Sequence, residues 1–583
     1  MAESTDREPN RGLEDMDAGI RVHARTWIIV GAINFAYLGQ IMVNIGSGFF
    51  AQSLGQLFEG SDRTVWFSTS INILTTALCP PVSQAADYWG RKWFLVGSSA
   101  CGLAGSIIIS RAQSMDTAIC GFIVIGICSG TQSLSFAVVS EVLPRRYRPF
   151  AQTSLNLTSG LAAIIVICMG GSLVQVDKDN YRTFFYLVAA IFGAATVALI
   201  ICYNPPPREL QTSLSTSEKL RRLDWVGYLL LTPGLVLFCI ALAWSQNPYP
   251  WNGTHILAPF IFGVILLAAF CIYEWHFKKD GMVHHDLFKS RNFPIALITI
   301  FDEGLVFFAI NTYYAFEVSV FRNTGLLDSG LHFMIMFLTT SVSAIIIAQI
   351  SKRYKLVRWP LFGGFLSLLL FFAIMATVTP RSNPNGFWAY GIISGVGLGF
   401  LLPLIVVAGQ LSTTAELISI GTGLIMSIRA LGATVGLAIN NAIFNSALSK
   451  NIPTNIAKAT LPLGLPPTSL SALIPALLAH DQDALMKIPG ITPDILSAAG
   501  AGLVDAYHIA FRNVWIAAAC FVVPGIIAAW FTFDPKKEFN DYIDAPAELV
   551  LAVEQAGADA EMVDVRVEKS IDGAVHHEVI SNA

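Results

Sequence analysis

The chain has 583 residues, of which 54% are hydrophobic and 13% charged, and its formal net charge is −4. A soluble domain is about a quarter charged, so this composition, with a mean hydropathy of +0.59, excludes an ordinary soluble fold. The near-neutral balance excludes a surface built to hold nucleic acid.

No Gly-x-x-x-x-Gly-Lys-Ser/Thr loop, His-Glu-x-x-His pair or Gly-x-Ser-x-Gly elbow occurs. ATP-driven work, a metal centre, a cofactor and an enzymatic site are therefore not expected. All nine cysteines fall in apolar stretches, where a small polarisable side chain packs and no disulfide framework is implied. Residues 1–26 mix both signs of charge without an apolar core, so they read as a tail rather than a cleavable signal, and the first apolar run serves as the insertion signal.

Apolar windows of about 19 residues predict spans near 27–48, 64–82, 93–111, 117–139, 152–174, 183–202, 225–244, 256–275, 294–317, 328–350, 358–378, 386–408, 418–441 and 513–532. An even number places both tails on one side. The loops after every second span carry Arg91, Lys92, Arg145, Arg146, Arg148, Lys219, Arg221, Arg222, Lys352, Arg353 and Lys355 among others, which predicts that this face and both termini are cytoplasmic. Asn252-Gly253-Thr254, a glycosylation sequon after the seventh span, then falls outside. The cell membrane is the expected location, with a vacuolar or vesicle membrane as the alternative. The stretch 442–512, rich in Pro, Ala and Leu, reads as an external, partly helical loop. The acidic tail 533–583 has too little to bury and reads as disordered beyond about Tyr542.

Gly126-Ile127-Cys128-Ser129-Gly130 and Gly395-Val396-Gly397-Leu398-Gly399 form a faint repeat about 270 residues apart, the kind of doubling that transporter folds show when two halves face one another. The halves are then 27–202 and 294–532, with a cytoplasmic linker at 203–224 and a two-helix insert at 225–275. The Gly395-x-Gly397-x-x-Phe400 run lies in the middle of an apolar span, where small residues let helices approach, and is not read as a nucleotide loop.

Between the second and third spans lies Ser83-Gln84-Ala85-Ala86-Asp87-Tyr88-Trp89-Gly90-Arg91-Lys92. A carboxylate, a turn glycine and two cations at this spacing can hold two helix ends together; ordinary flanking charge would explain Arg91 and Lys92 but neither Asp87 nor Gly90. The run resembles the signature loop of the major facilitator superfamily, Gly-x-x-x-Asp-x-x-Gly-Arg-Lys/Arg, with Ser83 replacing the first glycine. Arg429-Ala430-Leu431-Gly432-Ala433-Thr434-Val435-Gly436 and the segment Gly130-Thr131-Gln132 through Glu141-Val142-Leu143-Pro144 resemble fourteen-helix fungal transporters, in particular the trichothecene efflux pump and siderophore transporter group. The arginine that drug:proton antiporters place near Phe122, the aspartate near Gly39 and the proline of the fifth span are missing. The resemblance implies an all-α membrane protein of the major facilitator fold, with fourteen helices in two six-helix halves plus a two-helix insert. In such a fold Asp87, Gly90, Arg91 and Lys92 act as a conformational latch.

Ionisable residues inside a span are costly and mark functional sites. The ninth span carries Asp302, Glu303, Asn311, Tyr313, Tyr314 and Glu317; at 100° per residue Glu303, Phe307, Ile310, Tyr314 and Glu317 share one face, which should line a wet cavity. Asp302, Glu303 and Glu317, with Arg429 as the cation, are thus candidates for proton coupling, unless Glu317 is interfacial and the other two acids only partner a cation. Arg429 needs a carboxylate, with Asp302, Glu303 and Glu416 available. Phe122, Gln132, Asn311, Tyr313 and Tyr314 are candidate cavity residues for a bulky amphipathic solute, though most aromatics in membrane helices, Phe35 and Tyr37 among them, pack or form interfacial belts. The expected activity is proton-coupled export of amphipathic toxins or secondary metabolites by a monomer in the bilayer. Ferric-siderophore uptake with protons is the alternative, and a non-transporting receptor is disfavoured by tails without a folded module.

Overall fold

A computed structural model describes residues 24–544 except 61–62, 208, 245–250, 279–280 and 479–484. The disorder expected beyond Tyr542 lies, from residue 545 onward, outside the described residues, as does most of the N-terminal tail. Among the described residues every regular element is helical, as a bilayer demands of a chain whose backbone groups must be paired within each segment.

The long helices in order are α1 Ala24–Phe49, α2 Val65–Trp89, α3 Arg91–Ser110, α4 Met115–Glu141, α5 Arg145–Val176, α6 Tyr181–Cys202, α7 Trp225–Trp244, α8 Thr254–His276, α9 Asn292–Arg322, α10 Leu326–Tyr354, α11 Arg358–Met375, α12 Gly386–Leu411, α13 Ile418–Thr460 and α14 Pro493–Trp530. Thirteen are both long and apolar enough to cross a membrane. The exception is α2, which has 25 residues, about 37 Å of helix. Its shortfall is in apolarity. Thr69, Ser70, Asn72, Thr75, Thr76, Ser83 and Gln84 are all buried, because α2 packs between α4, α7 and α13 rather than against lipid. Thr75 and Thr76 hydroxyls donate to the carbonyls of Ile71 and Asn72, each at 2.8 Å, so these two are satisfied on their own helix.

Helices α1–α6 pack mainly among themselves, as do α9–α14. The two sets meet where α2 lies on α13 and α5 on α10, that is, at the second and fifth members of each set with the roles exchanged. The faint repeat has a matching geometry. Gly126 and Gly130 of α4 rest against Ser70, Leu74 and Leu78 of α2; Gly395 and Gly399 of α12 rest against Met336, Thr339, Thr340 and Ser343 of α10. Helices α7 and α8 pair with each other, and α7 leans on α2, with the Tyr228 hydroxyl donating to Gln84 Oε1 at 2.6 Å.

The span limits 418–441 and 513–532 are too short. Helix α13 continues for 43 residues and α14 begins at Pro493 and runs for 38; about 65 Å of α13 far exceeds a hydrocarbon core of about 30 Å. The stretch expected as a partly helical loop is a helical hairpin with its own core, built from Ile452, Ile456, Leu465, Leu473, Leu485, Ile488 and Ile495.

Candidate functional site

Of the residues expected to act as a latch, Asp87 and Arg91 form an ion cluster buried in protein. Gly90 stands at φ +92°, a left-handed turn that favours glycine, with Gln211 of the linker close to where a side chain would stand. This sharp turn folds α3 back so that Arg91, on its first turn, reaches Asp87 at 2.9 Å and also Glu141 at the end of α4. The three side chains are at most 7% exposed. Glu141 is thus a member of the ion cluster that the motif does not contain, and a carboxylate on the last turn of a neighbouring span was the available signal. Lys92 leaves the cluster: its ammonium donates to the Ile200 carbonyl at 2.8 Å and to Asn204. Ser83, where the motif has glycine, shares a hydrogen bond with Ser133 at 2.8 Å. Closeness to α13 is kept by Gly423, which sits directly against the Ser83 side chain.

Between the halves lies a cavity of about 90 Å³. Tyr37, Asn44, Asn72, Gln132, Asn156 and Ser159 line it from α1–α5, and Glu303, Phe307, Asn311, Thr340 and Arg429 from α9–α13. Gln132 and Ser159 each donate to the Tyr37 hydroxyl at 3.4 Å. Opposite, Arg429 grips Glu303 with two parallel bonds, Nε to Oε2 at 2.6 Å and Nη2 to Oε1 at 2.9 Å. Its guanidinium carbon lies 5.1 Å from the Phe307 ring centre. The pair is held because α9 and α13 touch backbone to backbone: Gly304 and Gly432 face the Arg429 and Phe301 carbonyls with no room for a side chain. Of the three carboxylates available to Arg429, the structure selects Glu303; Glu416 is exposed near the start of α13.

The cavity continues into a larger chamber of about 960 Å³, and Ile45 and Asn311 border both. Phe49, Phe316, Ser319, Asn323, Phe333 and Tyr507 line the chamber, at the helix ends remote from the basic loops. Toward the basic loops the halves are shut. Ser427 donates to the Thr76 carbonyl at 2.6 Å, Thr153 to the Ala344 carbonyl at 3.2 Å and Arg148 to the Gln410 carbonyl at 2.9 Å. The molecule is therefore open on one face and sealed on the other.

Several expected site residues stand elsewhere. The stripe on α9 splits: Glu303, Phe307 and Asn311 face the cavity, whereas farther along the helix the neighbours close in. Tyr314 donates to the Phe387 carbonyl among Phe333, Phe371 and Phe387. Tyr313 donates to Asn441 Oδ1 at 2.5 Å, and Glu317 accepts from Trp515 Nε1 at 2.7 Å. None of these three borders the cavity; they are core groups of the second half. Asp302 is 5% exposed and its Oδ2 has no hydrogen-bond donor among the described residues. Phe122 is packed between Phe67 and Phe185, so it does not line the cavity either. Asn44, Asn72 and Asn156 were overlooked, although isolated amides inside apolar spans are a readable signal.

The profile described as "fungal trichothecene efflux pump (TRI12)" matches residues 35–566. The chain belongs to this family. Among its relatives, the trichothecene efflux pump TRI12 of Fusarium sporotrichioides is 23% identical over 509 residues, covering 84% of this chain and 82% of that one. The MFS-type efflux transporter ffsH of Aspergillus flavipes is 26% identical over 519 residues, covering 86% and 85%. The fold is that of the major facilitator superfamily. A bacterial homologue of the human lysosomal transporter Spinster, in its inward-facing unoccupied form, superposes with a TM-score of 0.53 at 12% identity, over 87% of this chain and 98% of that one. This member of the trichothecene efflux pump family is thus a multi-pass membrane transporter for a small molecule, and not an enzyme.

Proposed function

We propose that the protein exports amphipathic small molecules, toxins or secondary metabolites, across the plasma membrane in exchange for protons, working as a monomer with both termini cytoplasmic. The observation that supports this best is the Glu303–Arg429 pair on the wall of a cavity open to one face. A proton arriving through the wide chamber neutralises Glu303 and dissolves the bidentate grip. Arg429 then lacks its counter-ion in a low-dielectric site, a costly state that closing the halves around Tyr37 and the cavity amides relieves. On the other side the proton leaves, the pair re-forms, and the next solute is taken up. Asp302, buried one residue from Glu303, is a second place for a proton on the same helix. The cavity's amides and hydroxyls, set among Phe307, Phe308 and Met336, suit a solute with an apolar body and a few polar groups.

Everted plasma-membrane vesicles test coupling and direction together. With an acidic lumen, antiport accumulates a trichothecene-like amphipathic solute in the lumen, and a protonophore abolishes it. Loss from the lumen under the same gradient would instead fit symport, as in siderophore uptake, and indifference to the gradient would end the coupling proposal. Orientation has a separate check. Asn252 is exposed in the turn ahead of α8, on the face proposed to be external, so a glycosidase-sensitive mobility shift is expected and Asn252→Gln should remove it. A glycan-free chain whose residue 252 is labelled only from the cytosol would reverse the assigned topology.

A further inference from the structure

The chain that follows α14 does not leave the protein. Phe533 exchanges two hydrogen bonds with the Asn292 side chain, at 2.8 and 2.9 Å, at the start of α9. Asp534 Oδ1 accepts from the amides of Val357 and Arg358, at 2.6 and 2.9 Å, at the start of α11, where exposed N–H groups and the helix dipole favour a carboxylate. These contacts fasten the segment to the second half.

Four to ten residues later it is fastened to the first. The Arg145 amide donates to the Tyr542 carbonyl at 3.0 Å and the Arg146 amide to the Asn540 carbonyl at 2.9 Å, so the backbones run side by side. Arg145 pairs with Glu538 and also with Asp544, the latter through Nη2 at 2.7 Å, and its guanidinium lies over the Tyr542 ring. Arg146 meets Asp541 at 2.5 Å. Arg148 pairs with Asp544, and the two side chains are 1% and 0% exposed. The same Arg148 donates to the Gln410 carbonyl of α12, and the Gln410 amide reaches back to the Phe136 carbonyl at 3.2 Å. The tail thus completes the seal between halves on the basic face.

We propose that residues 533–544 are a strap that holds the basic face shut and must come off Arg145, Arg146 and Arg148 before the cavity can open there. The halves cannot separate at Arg148 and Gln410 while one short segment is bonded to both. A fully buried Asp544 carboxylate is tolerated only with its arginines in place, so release is cooperative: losing one arginine contact exposes the rest. The strap is separate from the Asp87–Arg91–Glu141 cluster, which lies on the same face but ties helices of the first half only to one another. It follows from alternating access alone and is independent of which ion is coupled.

The test uses the full chain in liposomes with Cys79 as its sole cysteine, because Cys79 is buried on α2 beside Gly423 of α13, within the seal. The rate at which a water-soluble maleimide reaches it from the basic face reports opening without substrate or proton gradient. Asp544→Asn should raise that rate at least tenfold. Because a buried substitution can misfold, a second variant uses the half-exposed pair: cysteines at Arg146 and Asp541, joined by a short reversible cross-linker in a chain lacking other cysteines, should stop transport, and reductant should restore it. Unchanged labelling in a folded Asp544→Asn protein, or full transport while cross-linked, overturns the strap; failure of pH-driven transport alone would count against the proton reading and leave the strap standing.

Discussion

Replacing Arg429 with alanine is expected to cost this transporter both stability and activity. The substitution leaves Glu303, whose side chain is 1% exposed, without its partner, and breaking a buried pair by removing one member costs about 3–5 kcal/mol. Transport by Arg429→Ala should fall at least ~200-fold, a fold-change that corresponds to about 3 kcal/mol, the lower end of that range. Glu303→Gln is the milder change, because the amide keeps the shape and one acceptor; it should retain solute binding while transport no longer varies with pH. The double variant Glu303→Gln, Arg429→Gln, with no buried charge left, should recover expression and thermal stability but not pH-dependent transport. Transport assays across a pH series, paired with thermal unfolding, separate the two roles: if the double variant regains pH dependence, the pair is structural only.

The second large effect comes from backbone contact. A Cβ at Gly432 would lie 2.3 Å from the Phe301 carbonyl oxygen, a clash with backbone that no rotamer change relieves, so Gly432→Leu must push α13 off α9. Overpacking usually costs about 1–3 kcal/mol; here the loss should exceed the upper end, since the displaced helices also carry Glu303 and Arg429. Gly31→Leu is the control, because nothing lies within 4 Å of a Cβ at that exposed position of α1. Thermal unfolding followed by a thiol-reactive dye should show Gly432→Leu unstable or unfolded and Gly31→Leu close to the parent.

Much of the architecture was legible because lipid imposes it. Long apolar runs must be helices, and a charged loop such as Asp87–Lys92 between two of them is conspicuous. Arg429 also announced that it needed a carboxylate, but its choice of Glu303 over Asp302 depends on how α9 rotates against α13, which the glycines at 304 and 432 fix in three dimensions. The α9 stripe misled for a related reason. Helical periodicity groups Glu303 with Tyr314 and Glu317, yet a helix face meets different neighbours along its length, and Phe371, Phe387 and Trp515 cover its outer half. Phe122 shows the limit for apolar residues: a phenyl ring reads alike whether it faces lipid, cavity or core. Helix α2 taught the converse, since hydroxyls such as those of Thr75 and Thr76 lower hydropathy while bonding to its own backbone. The extension of α13 and α14 beyond the bilayer was hidden because the apolar residues at 442–512 serve a core of their own.

Whether Glu303 carries the coupled proton is tested most directly by measuring proton release when solute binds to the purified transporter in weakly buffered detergent solution. A solute that competes with the proton should release it from the wild-type protein, in an amount that varies with pH, and release should vanish in Glu303→Gln while binding persists. Undiminished proton release from a Glu303→Gln protein that still binds solute would show that the Glu303–Arg429 pair is not where protons and solute exchange.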